Sequence, residues 1–368
     1  MAAFDLEQYL AQGVRHILTG LTAAAGKNIK TAAFLARFAM AAQSAKHRRV
    51  QLAAAGEHIP PFLIASITEQ CNLHCRGCYA RAGGVCCDGG AGDVLTAAQW
   101  ADLFTQAAEL GVSFILLAGG EPLLRPDVLA AAAREKRIIF PVFTNGTLFS
   151  PDACALFLQN RNLMPVLSLE GDAAATDARR GSGVYRRLQD AMALLHKNGV
   201  LFGASITVTR KNLTAILAED FLRALHAAGC RAVIYVEYVP VTQESVPLAL
   251  TDADRATLEA RLTQLRAAQR EFLLVSFPGD EKSSGGCLAA GRGFFHINPR
   301  GGAEPCPFSP YSDTNLTLVP LRQALHSPLF RRLQEQGYLT QAHTGGCVLF
   351  PHADEVAALA QGREICRE

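Results

Sequence analysis

Three cysteines share one short segment, Cys71-Asn72-Leu73-His74-Cys75-Arg76-Gly77-Cys78, spaced C-x3-C-x2-C. Three thiolates on one loop can hold three irons of a [4Fe–4S] cube and leave the fourth open for a ligand. The same spacing suits a zinc knuckle short of one ligand, with His74 or His58 completing it. Further on stands Gly119-Gly120-Glu121-Pro122. Two glycines let a ligand approach the backbone closely, and Glu121 can accept hydrogen bonds from a cationic amine. Taken in isolation, the tetrapeptide also reads as a plain turn. A second cysteine group follows late in the chain: Cys287, Cys306 and Cys347, with Gly301, Pro305 and Gly345-Gly346 beside them. Glycines there let the backbone fold tightly around a cluster. The chain has 11 cysteines, an odd number, and no export signal. Metal binding or thiol chemistry therefore fits better than a disulfide framework.

The elements that must position these residues alternate in type. Short apolar runs at 62–68, 113–118, 138–144, 164–169, 201–208 and 232–238 read as strands. Helical patterns lie near 96–110, 126–136, 150–160, 184–198 and 213–228. Near-continuous apolar strands between amphipathic helices mean buried parallel strands in βα units. Six units allow a partial barrel or an open doubly wound sheet, and either gathers ligands at the carboxyl ends of its strands. Past residue 245 the rhythm breaks into a helix near 252–270, a strand near 272–277 and a hairpin turning at Pro299–Gly302. The first 58 residues read as two basic helices, with Leu10, Val14, Ile17, Leu18 and Leu21 on one stripe, Phe34, Leu35 and Phe38 on another, and Gly26 between. The expected division is an N-terminal helical arm at 1–58, a barrel at 59–245 and a C-terminal region at 246–368.

Composition excludes several function classes. Of 368 residues, 49% are hydrophobic and 18% charged, which is not a disordered chain. Lys and Arg number 35 against 33 Asp and Glu, so no global basic field points to nucleic acid. No apolar run reaches the roughly 18 residues of a membrane-spanning helix. The opening MAAFDLEQYL has acids at Asp5 and Glu7 and no basic segment before an apolar core. It does not read as a secretory signal, and the expected location is the cytoplasm.

The Cys71/Cys75/Cys78 triad after the first strand, with Gly-Gly-Glu-Pro after the second, resembles the radical S-adenosylmethionine superfamily. The resemblance covers roughly residues 60–240. It implies an α/β fold, a partial (β/α)6 TIM-type barrel, and a [4Fe–4S] cluster whose unique iron chelates S-adenosylmethionine. Carried over residue by residue, Cys71, Cys75 and Cys78 ligate the cluster, and Gly119, Gly120 and Glu121 hold the methionine amine. Asn145, in Thr144-Asn145-Gly146, faces the cavity. Ser168 and Glu170, in Ser168-Leu169-Glu170-Gly171, match a ribose- and carboxylate-contacting position where the family usually has Asp. Arg180 resembles an arginine near the cofactor carboxylate, and is otherwise a capping or surface arginine. Ser205 and Thr207 are candidates for the ribose and the backbone at Val236 for the adenine. The residue before the third cysteine, often aromatic in the family, is Gly77 here, with Tyr79 as a substitute. Cleavage of the sulfonium would yield a 5′-deoxyadenosyl radical that abstracts hydrogen from an unactivated C–H.

The later cysteines resemble the SPASM/twitch subgroup, in which a C-terminal extension carries auxiliary clusters. That implies a small auxiliary iron–sulfur domain and a second [4Fe–4S] cluster on Cys287, Cys306 and Cys347. Cys366, His343 and His352 are candidates for its fourth ligand, or the site is open. Structural zinc and free core thiols are the alternatives. Cys86 and Cys87 lie in a Gly-rich loop as hydrogen-atom donors, auxiliary ligands or plain loop thiols, whereas Cys154 and Cys230 read as core. His296 alternates with Phe295 and Ile297 in a strand and reads as a hydrogen-bonded histidine. Glu237 and Tyr238 end the sixth strand near the barrel mouth. The N-terminal helices pack on the barrel, rest on a membrane surface or dock a partner.

The reading is an enzyme that oxidises or rearranges a small-molecule, peptide or lipid substrate, with an electron donor such as flavodoxin or ferredoxin. A peptide maturase forming thioether or C–C crosslinks is the alternative within enzymes. A non-catalytic iron–sulfur or zinc-binding module is the alternative outside them, and it would tolerate loss of Glu121.

Overall fold

A computed structural model of the protein describes residues 29–88, 92, 94–268, 272–340 and 346–362. The first apolar stripe of the N-terminal arm, Gly26, His343 and Cys366 lie outside the described residues.

Seven parallel strands run in sequence order: β1 (Phe62–Thr68), β2 (Phe114–Gly119), β3 (Phe140–Thr144), β4 (Leu163–Leu169), β5 (Phe202–Val208), β6 (Cys230–Glu237) and β7 (Leu273–Phe277). Each crossover carries a helix, Ala97–Leu110 after β1 and Asp252–Ala268 after β6 among them. The strand order never reverses, so the chain winds in one direction as in a barrel, not in the two directions of a doubly wound sheet. The two-residue strands β8 (His296–Ile297) and β9 (Ala303–Glu304) join beyond β1, β8 parallel to it and β9 antiparallel to β8. The nine-stranded sheet stays open, in the order β7-β6-β5-β4-β3-β2-β1-β8-β9. Residues past 245 thus extend both of its edges. Phe294 bridges them, its ring 5.8 Å from Phe62 on β1 and 5.6 Å from Phe277 on β7.

Strand side chains alternate between faces. One face, with Leu117, Val142, Leu167, Ala204 and Val233, is fully buried with the helices. Leu116, Ala118, Phe143, Ser168, Ile234 and Val275 keep some exposure and line the other face, the barrel lumen. Register carries that face from strand to strand: Phe143 beside Val166, Ser168 beside Ser205, Ser205 beside Ile234 and Ile234 beside Val275.

Local signals place the helices. Thr96 caps Ala97–Leu110 through a reciprocal box with Gln99, and Gly111 ends it in a left-handed conformation at φ 96°. A Cβ on Gly111 would meet the Ala45 carbonyl at 2.7 Å. Its absence lets the long helix Ile29–Ala54 lie close, where Arg48 and Arg49 donate to the Glu109 and Gly111 carbonyls. The apolar side of that helix, Phe34, Leu35 and Phe38, packs on Phe114, Ile139 and Leu201. Those three residues stand at the amino-terminal ends of β2, β3 and β5, so the helix covers the end of the barrel opposite the cysteine loop.

At the other end, β1 and β2 meet backbone to backbone. Gly120 donates to the Thr68 carbonyl at 2.9 Å and Glu121 to the Gln70 carbonyl at 2.7 Å. A Cβ on Gly120 would fall on the Gln70 carbonyl, and one on Gly119, whose φ is 113°, on the Thr68 carbonyl.

Two outcomes are expected. Gly120→Ala must push the β1 and β2 ends apart, at a cost of between about 1 and 3 kcal/mol, read by chemical denaturation. Phe38→Ala empties the packing under the barrel and costs about 3 kcal/mol. It should leave the cysteine loop unchanged, as read by thiol reactivity under native conditions.

Candidate active site at the carboxyl ends of the strands

The loop after β1 brings Cys71, Cys75 and Cys78 together, all half-buried. Its backbone is tied from several sides. Arg81 donates to the Leu73 carbonyl at 3.0 Å and the Cys71 carbonyl at 3.1 Å, and pairs with Asp88 at 2.7 Å. Arg76 donates its amide to the Arg179 carbonyl at 2.8 Å. The Cys71 sulfur receives the Leu73 amide and the Asn145 side chain, and it bonds to the Cys86 thiol. That thiol contact lowers the Cys71 pKa and raises that of Cys86. Burial raises Cys75, against the attraction of Arg180 and Arg179. Cys86 is thus in the site, and the Cys87 amide binds the Glu69 carbonyl at 2.9 Å.

Glu121 has no exposed surface. Its carboxylate accepts from Thr144 Oγ1 at 2.7 Å, the Asn145 amide at 2.7 Å and the Leu123 amide at 3.0 Å. Burial pushes its pKa up to about 7, against those three donors. A cationic amine beside it would hold it ionised. Asn145 in turn donates to Asn72 at 2.8 Å, which joins the end of β3 to the cysteine loop.

Ser168 and Ser205 are register neighbours on the lumen face, as are Thr207 and Val236. Glu170, on the loop after β4, turns toward the helix Ala173–Arg180. One of its oxygens binds Arg179 and Arg180, each at 2.7 Å. The other, Oε2, is buried without a hydrogen-bond partner. Both arginines attract Cys75, so Glu170 holds positive charge beside the cysteine loop.

Gly77 is not backed by Tyr79. A Cβ there would strike the ring of Tyr238, from the end of β6, and the Tyr238 hydroxyl is buried without a partner. Tyr79 packs edge-on against Phe308 at 4.8 Å. Burial, then Cys78 and Cys306, raise its pKa. The first cysteine group and the second therefore meet across one phenol ring.

Cys287 and Cys306 are buried and Cys347 nearly so, and all three thiols are raised by burial, Cys347 to about 11. Each sulfur receives a nearby amide: Ala289 for Cys287, Phe308 for Cys306, and Phe350 together with Leu349 for Cys347. Leu73 does the same for Cys71. Amides aimed at sulfur favour the thiolate form that ligates iron. No three His, Cys, Asp or Glu among the described residues close on one point as a single ion requires. A cube spreads its ligands over different irons, so its thiolates stand farther apart. The histidines proposed for a knuckle are engaged elsewhere, His74 with Asp88 at 2.9 Å and His58 with the Arg292 carbonyl at 2.6 Å. His352 pairs with Glu355 at 2.8 Å.

His296 is hydrogen-bonded on both ring nitrogens, to Glu304 at 2.7 Å and to Ser66 at 2.7 Å. Asn298 donates to the same carboxylate at 2.6 Å. Glu237 pairs with Arg255. Cys154 and Cys230 are buried in the core.

Residues 65–225 match the radical SAM superfamily. The AdoMet-dependent heme synthase of Methanosarcina barkeri is 27% identical over 303 residues, 75% of this chain and 85% of that protein. The mycofactocin maturase MftC of Mycobacterium ulcerans is 27% identical over 300 residues, 76% of this chain and 78% of that one. Among solved structures, Streptococcus suis SuiB bound to its precursor peptide SuiA superposes with a TM-score of 0.63 at 19% identity, over 79% of this chain and 71% of that one. No described helix is long and apolar enough to cross a membrane. The cysteine loop, the glycine-tied ends of β1 and β2 and the one-directional barrel agree with the match of residues 65–225 to the radical SAM superfamily.

Proposed function

We propose that this enzyme oxidises an unactivated C–H of a substrate with an apolar body, and that its two cysteine groups divide the work. Cys71, Cys75 and Cys78 would hold the [4Fe–4S] cluster that binds S-adenosylmethionine. Cys287, Cys306 and Cys347 would hold an auxiliary cluster that takes up an electron from the substrate. When bound, the first cluster and S-adenosylmethionine supply a 5′-deoxyadenosyl radical. The observation that carries the reading is the amide aimed at the sulfur of Cys71, Cys287, Cys306 and Cys347 alike.

The chain's own residues bind and orient. The Gly119–Glu121 turn would hold the methionine amine, with Glu121 ionised by it. Arg180, steadied by Glu170, would face the carboxylate. The free Oε2 of Glu170 and the hydroxyls of Ser168 and Ser205 would take the ribose. Asn145 holds the loop through Asn72 and Cys71. The lumen keeps water away from the reacting carbon, as radical chemistry requires. A flavodoxin or ferredoxin would supply the starting electron.

Substrate class follows from the lumen. Among the described residues its face carries no Asp, Glu, Lys or Arg on β1 to β7; its polar groups there are hydroxyls such as Ser66, Ser168, Ser205 and Thr207, with His296 and Glu304 added on β8 and β9. A peptide backbone buried there would leave amides unpaired, which costs about 1–3 kcal/mol each. An apolar ring system would not. This agrees with the likeness to a heme synthase. A peptide substrate is the second reading, favoured by the likeness to peptide-bound SuiB and to MftC.

Anaerobic reconstitution with iron and sulfide tests the reading. About eight irons are expected in the wild type and about four in the Cys71/Cys75/Cys78→Ala variant, from two four-iron clusters. Only the wild type should release 5′-deoxyadenosine with dithionite. Zinc uptake in place of iron, or no 5′-deoxyadenosine, would sink the proposal. Carboxylated iron porphyrins should accelerate the release, and unrelated peptides should not.

A further inference from the structure

The short 3-10 helix Gly279–Ser284 follows β7 and leads into Cys287. It carries two adjacent acids with different fates. Asp280 has ordinary partners, Arg266 at 2.7 Å and the Ser276 amide at 2.8 Å. Glu281 is only 3% exposed and, among the described residues, makes no ion pair, with Arg292 attracting it from farther off. Its Oε2 accepts the Leu288 amide at 3.2 Å, and its Oε1 has no hydrogen-bond partner. Isolated carboxylates are rarely buried, because desolvation is costly unless a cation or a metal balances the charge.

Glu281 is surrounded by the second cysteine group. It lies within hydrogen-bonding reach of the Cys287 thiol and within electrostatic range of Cys306 and Cys347. The three thiols also sense one another. Each has an amide aimed at its sulfur, so the pocket is arranged for three thiolates and one carboxylate. His352, a candidate for the remaining place from sequence, is turned to Glu355 and packs on the Tyr338 ring at 5.4 Å.

We propose that Glu281 is the fourth protein ligand of the auxiliary cluster, its free Oε1 binding the iron that Cys287, Cys306 and Cys347 leave open. The assignment rests on the auxiliary-cluster reading above. A carboxylate is a harder donor than a thiolate and a poorer match for iron in a sulfide cluster. The iron it holds is therefore the one most readily exchanged. A substrate donor can displace Glu281 without dismantling the cluster, which joins the closed and open versions of the site in one device.

The test uses the full-length Cys71/Cys75/Cys78→Ala protein, in which only the auxiliary cluster remains. Iron counting, Mössbauer and EPR spectra are compared with and without Glu281→Ala. The parent should hold about four irons. Glu281→Ala should lose about one and show the EPR signal of an oxidised three-iron cluster. Glu281→Cys should restore about four irons with a changed Mössbauer spectrum, which separates lost ligation from misfolding. Four irons and an unchanged spectrum in Glu281→Ala would overturn the proposal. Loss of an iron in Cys366→Ala or His343→Ala would then place the ligand there. A parent that binds no iron would fail the auxiliary-cluster reading itself, a result distinct from failure of Glu281 alone.

Discussion

No side chain fits between the end of β1 and the end of β2. The two backbones share hydrogen bonds at Thr68–Gly120 and Gln70–Glu121, and the glycines leave the room. This contact fixes where Cys71 begins. It also sets Glu121 at the junction of β2 and β3, where Thr144 and Asn145 close on it. Asn145 then reaches back to Asn72. A loop that must present three thiols is thus held by main chain and buried amides on both sides. Flexible side chains would give a looser hold, and a site that handles a radical needs a fixed geometry.

The charges around that loop are mostly paired. Glu170 gathers Arg179 and Arg180, and the arginines face Cys75. Arg81 answers Asp88 through Nη2, which also holds the Cys71 carbonyl, while its Nε holds that of Leu73. Arg300, from the β8–β9 turn, binds Glu69 at 2.8 Å, just before the cysteines. The C-terminal region is therefore clasped to the first cysteine loop by an ion pair as well as by the Tyr79–Phe308 contact. The second cysteine group lies across that clasp.

Much of this was legible in the sequence. Apolar runs marked six strands, since parallel strands buried on one face and lining a lumen on the other read as nearly unbroken hydrophobic stretches. The thiol spacing and the glycine pair marked the site, because close backbone contact demands glycine wherever it occurs. Other features left no local trace. The turn at Pro299–Gly302 marked the β8–β9 hairpin, but the pairing of β8 with β1 bridges more than 200 residues of chain. Tyr238 fills the space over Gly77 from a distant strand end, whereas sequence pointed to nearby Tyr79. Glu281 sits in a Gly/Ser-rich, charged stretch that reads as surface, and only the fold turns it inward. Cys86 was weighed as a loop thiol, and its contact with Cys71 arises from the fold of the intervening helix Tyr79–Ala82.

The long helix Ile29–Ala54 has a kinetic meaning. It covers the amino-terminal ends of β2, β3 and β5 with Phe34, Leu35 and Phe38. The cysteine loop lies at the opposite end. Traffic to the thiols therefore runs by a route that this helix does not line.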